Sequence, residues 1–349
     1  MKTVCFFNNK GGVGKTTLTC NIASKFARNG KRILLVDADP QCNATQLIVG
    51  DERTFSMYWP DGTESENVDT LLKVTRLIRA GDSAIDAAVS FIPSSENKFG
   101  VTLMPGHPRL SEMEDKLSVA WNNAVGGDVE GLRRTNWAVA FCAAFSADFD
   151  YLFFDLGPSL GAINRSVLLA ADYFVTPLGS DVFSIVGVRN IAEWLKSWMD
   201  LYEDGARICE RRNPQSIAEF SLRKSPAIKH GYVGYTLQQY ITKSKKGIRR
   251  PTQAFDHILS QVPEQITTYL GSFTSPTIGS AGVKLGDVPN MYSLVPLAQS
   301  RNCPIGDLKL VVGALVGSQF KQSAEYANIL SQFAARLAAN MGDSLGANS

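Results

Sequence analysis

The sequence predicts an α/β protein with a mostly parallel central sheet that is covered by helices. Short and almost uninterrupted apolar segments recur along the chain, for example at residues 3–7 and 32–36. Strands of this kind are typical of a sheet that is buried on both faces. Segments with helical periodicity lie between them, and a glycine-rich turn joins the first strand to the first helix. This alternation favours a parallel sheet with crossover helices.

Five strands are predicted in the first half of the chain. They lie at residues 3–7, 32–36, 101–104, 150–155 and 172–177. The second and the fourth run into an aspartate, and the third ends at a Pro-Gly turn. Apolar residues at helical spacing predict helices at residues 16–29, 69–90, 109–123 and 132–146. The polar stretch between residues 51 and 69 predicts a loop.

The second half of the chain is less regular. It predicts a long helix from residue 187 to about 210, strands at 232–237 and 292–297, and a closing helix at 318–341. Residues 271–290 are rich in Gly, Ser, Thr and Pro and predict a long loop. We expect a single domain over residues 1–341, with insertions around 190–230 and 260–290, and a flexible tail at 342–349.

Length and composition exclude several classes of protein. The 349 residues are 44% hydrophobic, which is enough for one large core or two modest ones. No apolar run approaches the roughly 18 residues that a membrane span requires, so no membrane partner is expected. The chain runs from Met1 directly into the first predicted strand, which leaves no room for a signal peptide. The net charge of +2 indicates nothing about partners.

The six cysteines predict neither a metal centre nor a disulfide framework. No two of them form a C-x-x-C pair, and the chain has three histidines, so the usual spacing of metal sites is missing. Cys5 and Cys20 fall in the first predicted strand and helix, where a free cysteine behaves as a small apolar residue. We therefore expect the reducing environment of the cytoplasm.

The glycine-rich segment at residues 10–17 carries the strongest functional signal. It reads KGGVGKTT and lies between the first strand and the first helix. Its glycines allow backbone N–H groups to surround an oxyanion at the positive end of the helix. Lys15 is expected to reach the β- and γ-phosphates of a nucleotide, and the hydroxyl of Thr16 to bind Mg²⁺.

This segment departs from the usual phosphate loop, G-x-x-x-x-G-K-[ST]. Asn9 stands where the first glycine would fall, and Lys10 adds a second cation at the mouth of the loop. The pattern closely resembles the deviant Walker A loop of the ParA/MinD family of ATPases. The resemblance implies the P-loop NTPase fold, ATP and Mg²⁺ as cofactors, and a face-to-face homodimer around the nucleotides. The nucleotide-binding residues that it implies here are Lys10, Gly11, Gly12, Val13, Gly14, Lys15, Thr16 and Thr17.

Two acidic segments end predicted strands at the same edge of the sheet as the glycine loop. Asp37 and Asp39 are spaced i, i+2 after the second strand, which in extended backbone puts both side chains on one face. One acid could then organise the Mg²⁺ shell while the other orients a water. Asp155 ends the fourth strand, as in other sites that hold Mg²⁺ through water. Gly157 and Gly161 would let the following loop move with the γ-phosphate.

Both acidic segments resemble the ParA family. DADPQ at residues 37–41 matches the pattern after the second strand, and DLGPSLG at 155–161 matches the switch segment. Gly157 stands where the family usually has proline. The resemblance covers residues 1–50 and 150–190, touches 103–117, and is looser over 292–307, where the family places its adenine-side loop and where Pro296 would contact the nucleotide.

The resemblance also implies catalytic roles. Lys15 would hold phosphate in its own subunit, and Lys10 would do so across the dimer. Asp39 would position the attacking water, and Thr16 and Asp155 would serve Mg²⁺. Because phosphoryl transfer depends on positioning and charge neutralisation, a lysine that acts across the dimer would couple hydrolysis to association. For Asp37 a structural role, holding the switch loop, is the favoured interpretation.

A basic stretch in the second half indicates a possible contact with DNA. Between Phe220 and Phe255 there are eight Lys or Arg residues and no Asp or Glu. Such a local positive field can contact phosphate backbones without sequence preference, although a solvated basic loop is the alternative. Members of the ParA family bind nucleoid DNA through basic residues in their C-terminal half. The resemblance therefore favours DNA contact by Lys243, Lys245, Lys246, Arg249 and Arg250.

The leading hypothesis is an ATP-dependent, dimerising ATPase for plasmid or chromosome partition. It would bind nucleoid DNA non-specifically in the ATP state, and a ParB-like adaptor or centromere-binding protein would stimulate its slow hydrolysis. The alternative is a ParA-like ATPase that positions another cargo, such as secretion, polysaccharide-synthesis or chemotaxis machinery. A metallocluster carrier on the same fold would need a cysteine pair, which the sequence lacks. Intact Lys10, Lys15 and Asp39 argue against a nucleotide-locked scaffold.

Overall fold

The elements are taken from a computed structural model. It describes residues 1–59, 68–240, 242–245, 248–251, 253–279, 282–290 and 293–345, and between 239 and 258 it describes the backbone. The strands, in chain order, are β1 Lys2–Phe6, β2 Ile33–Asp37, β3 Thr102–Met104, β4 Tyr151–Asp155, β5 Tyr173–Gly179, β6 Tyr232–Tyr240, β7 Thr242–Lys245, β8 Ile248–Pro251 and β9 Lys284–Pro289. The helices are α1 Lys15–Arg28, α2 Asn43–Val49, α3 Asp51–Tyr58, α4 Leu71–Val74, α5 Arg76–Arg79, α6 Ser111–Val125, α7 Val129–Thr135, α8 Trp137–Ala144, α9 Ala162–Ala170, α10 Val182–Arg212, α11 Ser216–Glu219, α12 Gln253–Leu270, α13 Leu294–Arg301 and α14 Gln319–Asn340.

A seven-stranded parallel sheet forms the centre of the molecule and confirms the predicted α/β fold class. Its order is β3-β2-β4-β1-β5-β6-β9, and every neighbouring pair is parallel. The register places Asp155 beside both Asp37 and Phe6, at the ends of three adjacent strands. The carboxyl ends of these strands therefore meet at one edge, which is where ligands bind in parallel sheets.

Helices cover both faces of this sheet, because successive residues of each strand point to opposite sides. Cys5 belongs to one core, whereas Val4 and Phe6 belong to the other. Helices α6, α8, α9, α10 and α12 pack on the first face, and α1, α13 and α14 pack on the second. In the part of the chain that the structure describes, no helix has the length and apolarity needed to cross a membrane.

Most of the predicted elements are confirmed. Strands β1 to β5 lie within two residues of their predicted positions, and β6 begins where expected. Helices α1, α6, α10 and α14 correspond to the predictions at residues 16–29, 109–123, 187–210 and 318–341. Helix α10 begins five residues earlier than expected, because Asp181 caps its N-terminus by accepting a hydrogen bond from the Ser184 backbone N–H.

The strand predicted at residues 292–297 is wrong. Helix α13 begins at residue 294, and it buries Leu294 and Ala298, which are one helical turn apart. A short apolar run of this kind fits a strand and a buried helix equally well, so its periodicity could not decide between them.

The loop predicted at residues 271–290 is also wrong in part, because β9 lies within it. This strand forms one edge of the sheet and buries Leu285 and Val288. Gly286 and Pro289, which made the segment look like a loop, are tolerated because an edge strand has one side free of ladder hydrogen bonds.

Two predictions between residues 51 and 90 need correction. The loop predicted at 51–69 contains α3, whose acidic first turn is favoured by the positive end of the helix dipole; residues 60–67 lie outside the described residues. The helix predicted at 69–90 is reduced to α4 and α5, and Gly81, with a φ of 103°, follows their end.

The helix predicted at residues 132–146 is divided into α7 and α8 at Asn136. The Asn136 side chain donates hydrogen bonds to the Leu132 carbonyl oxygen at 2.7 Å and to the Tyr202 hydroxyl at 2.7 Å. These bonds fix the chain where it changes direction, and the sequence pattern alone did not reveal the break.

The segments expected as insertions contain regular helices and a strand of the sheet. Residues 190–230 contain the greater part of α10 and then α11, and residues 260–290 contain the end of α12 and β9. Near the C-terminus, Asp343 accepts hydrogen bonds from Lys2 Nζ at 2.7 Å and from the Tyr151 hydroxyl. Residues 346–349 lie outside the described residues.

Candidate active site

The glycine loop connects β1 to α1 at the carboxyl edge of the sheet. Gly12 and Gly14 have φ values of 73° and 74°, a left-handed conformation that residues with a Cβ rarely adopt. Asn8 fastens the loop to β5, because its amide nitrogen donates to the Pro177 carbonyl oxygen at 2.6 Å and its oxygen accepts from the Lys10 N–H at 2.9 Å. The loop is therefore held in a shape that exposes backbone N–H groups at the start of a helix.

A cavity of about 680 Å³ lies in front of this loop. The predicted residues that line it are Gly11, Gly12, Gly14, Lys15, Thr16, Thr17, Asp39 and Pro296. Residues that the sequence did not single out complete the lining, namely Gln41, Asn43, Gln46, Leu47, Asp51, Leu156, Pro158, Gln299 and Ser300. The volume suits a nucleotide-sized ligand, and α13 contributes the wall that the sequence had assigned to a strand. Lys10, Val13 and Asp155 lie outside the lining.

Lys15 is buried at the base of the cavity. Its Nζ donates a hydrogen bond to the Lys10 carbonyl oxygen at 2.9 Å. Burial lowers the pKa of Lys15, while the nearby Asp155 and Asp39 carboxylates act in the opposite direction. A buried ammonium group that holds one backbone oxygen has hydrogen-bonding capacity left for an anionic ligand.

Thr16 and Asp155 form a pair beside Lys15. The Thr16 hydroxyl donates to Asp155 Oδ2 at 2.7 Å. Asp155 is fully buried, and its Oδ1 has no hydrogen-bond partner among the described residues. Burial, and then the negative charge of Asp37, raise the pKa of Asp155. An orphaned buried carboxylate oxygen is costly and marks a place where a cation would be stabilised.

The chemistry of this pair fits Mg²⁺. Mg²⁺ prefers oxygen ligands and is usually bound by one or two protein groups, with waters and substrate phosphates in the other positions. Thr16 and Asp155 supply such groups next to the phosphate loop. In the described part of the chain no cluster of three or more His, Cys, Asp or Glu could hold a metal without such help.

Asp37 and Asp39 lie in different surroundings although they are two residues apart. Asp37 is fully buried, and its Oδ2 accepts hydrogen bonds from both the backbone N–H and the hydroxyl of Thr45, each at 2.7 Å. Burial raises the pKa of Asp37. Asp39 follows the end of β2 and lines the cavity, with Oδ1 accepting from the Gln41 N–H at 3.0 Å. Asp37 thus fixes α2, whereas Asp39 is exposed to a ligand.

Lys10 is turned away from the cavity and towards α10. Its Nζ lies 2.5 Å from Asp181 Oδ2, and both side chains are more than one third exposed. The sequence did not single out Asp181 as the partner of Lys10. Asp181 three residues before Ser184, at the start of a helical pattern, is a capping signal that could have identified it as a helix cap.

The loop at residues 156–161 connects Asp155 to α9 and lies against Asp39. A Cβ added to Gly157 would be 3.0 Å from Asp39 Oδ1. Asn164 Nδ2 donates to the carbonyl oxygens of Gly157 at 2.8 Å and Ser159 at 2.7 Å. Glu114 of α6 accepts hydrogen bonds from backbone N–H groups at the start of α9. Sequence reasoning missed both Asn164 and Glu114, although Glu114 lies in the segment that resembled the family.

The basic stretch is divided between two environments. Arg223, Lys224 and Lys229 form ion pairs with Asp172, Glu210 and Glu203. Further on, β7 and β8 form an antiparallel hairpin in which Lys243 lies opposite Arg250 and Lys245 opposite Ile248. Arg249 lies on β8, and Lys246 lies outside the described residues. The hairpin follows β6, so it continues from the same edge of the sheet that carries the cavity.

Comparison with known proteins gives relatives over most of the chain. The family model described as AAA domain matches residues 1–204. The chain is 26% identical over 289 residues to the chromosome-partitioning ATPase Soj of Treponema pallidum, covering 83% of this chain and 87% of that protein. The crystal structure of protein DIP2308 from Corynebacterium diphtheriae is 34% identical, with a TM-score of 0.70, and covers 86% of this chain and 97% of that one.

A more distant structure extends the likeness over almost the whole length. An ATP complex of a McdA variant from Cyanothece covers 99% of this chain and 97% of that one, with a TM-score of 0.58 and 16% identity. At this identity the likeness concerns the fold alone, and it includes the segments expected as insertions around residues 190–230 and 260–290.

Proposed function

The chain belongs to the AAA-domain family, as a P-loop ATPase of the ParA/MinD type, and from this premise we propose that it is a partition-type ATPase that binds ATP with Mg²⁺ and hydrolyses it slowly. The observation that carries the proposal is the meeting of Lys15, Thr16 and Asp39 on one cavity, with Asp155 directly behind Thr16. These groups come from three strand ends, and together they match the requirements of phosphoryl transfer.

In this proposal the glycine loop and Lys15 bind the phosphates. Backbone N–H groups of the loop surround the phosphate oxygens at the positive end of α1. When nucleotide binds, Lys15 Nζ exchanges its hydrogen bond to the Lys10 carbonyl oxygen for one to a phosphate oxygen. Thr16 and Asp155 would hold Mg²⁺, and the metal would supply neutralisation of phosphate charge. The ATP complex of the McdA variant, which shares the fold, supports the choice of nucleotide.

Asp39 orients the attacking water. Its carboxylate faces the cavity and is fixed by the Gln41 N–H, so it can accept a hydrogen bond from a water near the γ-phosphate. Asp37 does not take part in the reaction, since Thr45 and the Asp39 backbone N–H occupy its oxygens. The Asp37 carboxylate instead fixes the turn that presents Asp39.

Lys10 serves a second copy of the chain. In a single chain it is held by Asp181, but an exposed ion pair contributes only about 0–1 kcal/mol and is easily exchanged for a phosphate. Just beyond Asp181, Val182, Phe183 and Val186 are 57%, 77% and 49% exposed. An exposed apolar surface next to Lys10 is typical of an interface between proteins and supports dimerisation at this place.

The basic hairpin and the relatives support DNA as the cargo and the nucleoid as the location. The hairpin β7–β8 would bind nucleoid DNA without sequence preference when ATP brings two copies together. A ParB-like adaptor or centromere-binding protein would stimulate hydrolysis and release the DNA. The name of the Treponema pallidum relative supports partition. The protein would act in the cytoplasm, associated with the nucleoid.

Two lysine variants test the proposal. Lys15→Ala should abolish ATP binding measured by calorimetry, because it removes the buried phosphate ligand. Lys10→Ala should keep ATP affinity within about threefold but suppress dimerisation and turnover, because Lys10 lies outside its own cavity. Lys116→Ala, at an exposed position of α6, is the matched control and should behave as wild type. Equal loss of ATP affinity in Lys15→Ala and Lys10→Ala would contradict a role for Lys10 across the dimer.

A further inference from the structure

The loop at residues 156–161 packs against Asp39 in the wall of the cavity. Leu156 and Pro158 line the cavity, and the Gly157 backbone lies against the Asp39 carboxylate. Any group that fixes this loop therefore also fixes the place where a water could lie between Asp39 and a bound phosphate.

Glu114 holds the far end of this loop. Its Oε1 accepts a hydrogen bond from the Ala162 N–H, and its Oε2 accepts one from the Ile163 N–H at 3.1 Å. These are the first two residues of α9, whose N–H groups have no partner within their own helix. The capping position is Gly161, which has no side chain to supply the bond. A carboxylate from α6 therefore caps α9, and it also meets the positive end of the helix dipole.

The backbone at residue 161 is shaped for this contact. A Cβ there would overlap the Glu114 carboxylate, so glycine permits the approach. Asn164 fastens the other end of the loop by donating to the carbonyl oxygens of Gly157 and Ser159. Asn164 thus holds the carbonyl groups of the loop, and Glu114 holds the first N–H groups of the helix that follows the loop.

Helix α6 packs against both α10 and α9. Trp121 lies two turns after Glu114, and its ring stacks on Tyr202 of α10, with centroids 6.1 Å apart. The Arg165 guanidinium of α9 lies over the same Trp121 ring at 4.6 Å. Helices α6 and α9 therefore touch at two separate places, and Glu114 is at the place next to the loop.

We propose that Glu114 is a positioning residue for ATP hydrolysis: by capping α9 from α6 it sets the loop at residues 156–161 against Asp39. The inference rests on the proposed function. Glu114 lies outside the lining of the cavity, so in this proposal it acts on the rate of hydrolysis and not on the affinity for ATP.

Three variants separate this role from a merely structural one. Glu114→Ala removes the cap and should lower kcat about tenfold while KM for ATP stays within about threefold. Glu114→Gln keeps an oxygen acceptor without the charge and should restore part of the rate. Glu112→Ala is the matched control, because Glu112 is on the same helix and pairs with Arg109 and Arg79 at the surface; its kcat should equal that of wild type.

Hydrogen exchange of the peptide that spans residues 156–165 gives a second readout, independent of activity. The Ala162 and Ile163 amides should exchange faster in Glu114→Ala than in wild type, and less so in Glu114→Gln. Faster exchange with an unchanged kcat would overturn the role of Glu114, and so would a parallel loss of kcat, ATP affinity and thermal stability. A wild-type protein without ATP turnover would instead overturn the proposed function, whatever the exchange shows.

Discussion

The hydrogen bond that the His107 side chain accepts depends on the protonation state of its ring. It follows the turn after β3, and its ring Nδ1 accepts a hydrogen bond from the Arg109 N–H at 3.1 Å. Burial lowers the pKa of His107, the positive charges of Arg109 and Arg79 lower it further, and Glu112 acts in the opposite direction. The folded protein therefore favours the neutral ring, whose free nitrogen makes the bond.

The stability of the protein should consequently decrease as the pH falls through the range in which His107 titrates. Below about pH 6.5 the unfolded chain binds a proton that the folded chain resists, so acid favours unfolding. His107→Asn keeps an oxygen that can accept from the same N–H and should remove this part of the pH dependence. Urea midpoints at pH 8 and pH 5.5 measure it. An equal loss of stability in both proteins at pH 5.5 would refute the assignment.

The sequence predicted the positions of some residues of the site but not the partners of others. Lys15 and Thr16 belong to a continuous loop, so spacing alone predicted their position on the cavity. The partner of Lys10 is Asp181, 171 positions away, and the cap of Ala162 is Glu114, 48 positions away. Such contacts arise when elements that are distant in sequence pack together, so no local sequence pattern predicts them.

At the scale of elements, the sequence was a good guide where both faces of a strand are buried. Strands β1, β2 and β4 each contain a short apolar run and were predicted from it. It failed at the border of the sheet, where β9 carries Gly286 and Pro289 and buries only part of its surface. It also failed at α13, because eight residues are too few for helical periodicity to appear.

The hairpin β7–β8 is the element on which DNA binding should depend. Its backbone register places Lys243 opposite Arg250, so two basic positions face each other in this pair. Replacing Lys243, Lys245, Lys246, Arg249 and Arg250 by Ala should weaken binding equally on unrelated DNA sequences. Each lost contact should lower the slope of log K against log salt by roughly 0.9. Fluorescence anisotropy with ATP at several salt concentrations measures both effects.

A matched control comes from the same basic stretch. Lys224→Ala with Lys229→Ala removes two charges that are already paired with Glu210 and Glu203, and DNA affinity should hardly change. Calorimetry should show unchanged ATP binding in all these variants. Wild-type DNA affinity in the fivefold variant would mean that the hairpin is a solvated surface. A dimer that forms with ATP but binds no DNA would favour a cargo other than DNA.

At the scale of the whole molecule, the cavity and the exposed apolar turn of α10 are two parts of one surface. Lys10 connects them, since its backbone N–H donates to Asn8 Oδ1 at the glycine loop and its Nζ bonds Asp181 at the start of α10. Under the proposed function, binding of ATP would change the surroundings of a residue that borders the contact with a second copy. The proposed function therefore predicts that nucleotide state and association are coupled through Lys10.

Asp39→Ala should trap an ATP-bound dimer. The substitution leaves Lys15, Thr16 and Asp155 in place, so nucleotide binding survives while the water loses its orienting group. Size-exclusion chromatography with light scattering, in ATP and Mg²⁺, should show a dimer that persists. Asp115→Ala, at an exposed acid of α6 outside the cavity lining, should hydrolyse ATP at the wild-type rate. A monomeric Asp39→Ala protein, or one with normal turnover, would be inconsistent with the assignment.

The central place of β1 also has a consequence for how the chain is made. During translation β1 emerges first, yet its neighbours are β4 and β5, and Lys2 pairs with Tyr151. At about 5–20 residues per second, the strand that precedes the glycine loop waits on the order of 10 s for a partner. A nascent chain that stops before β4 has no fixed phosphate cradle and lacks Asp155. Nucleotide can therefore stabilise only chains in which β4 has already left the ribosome.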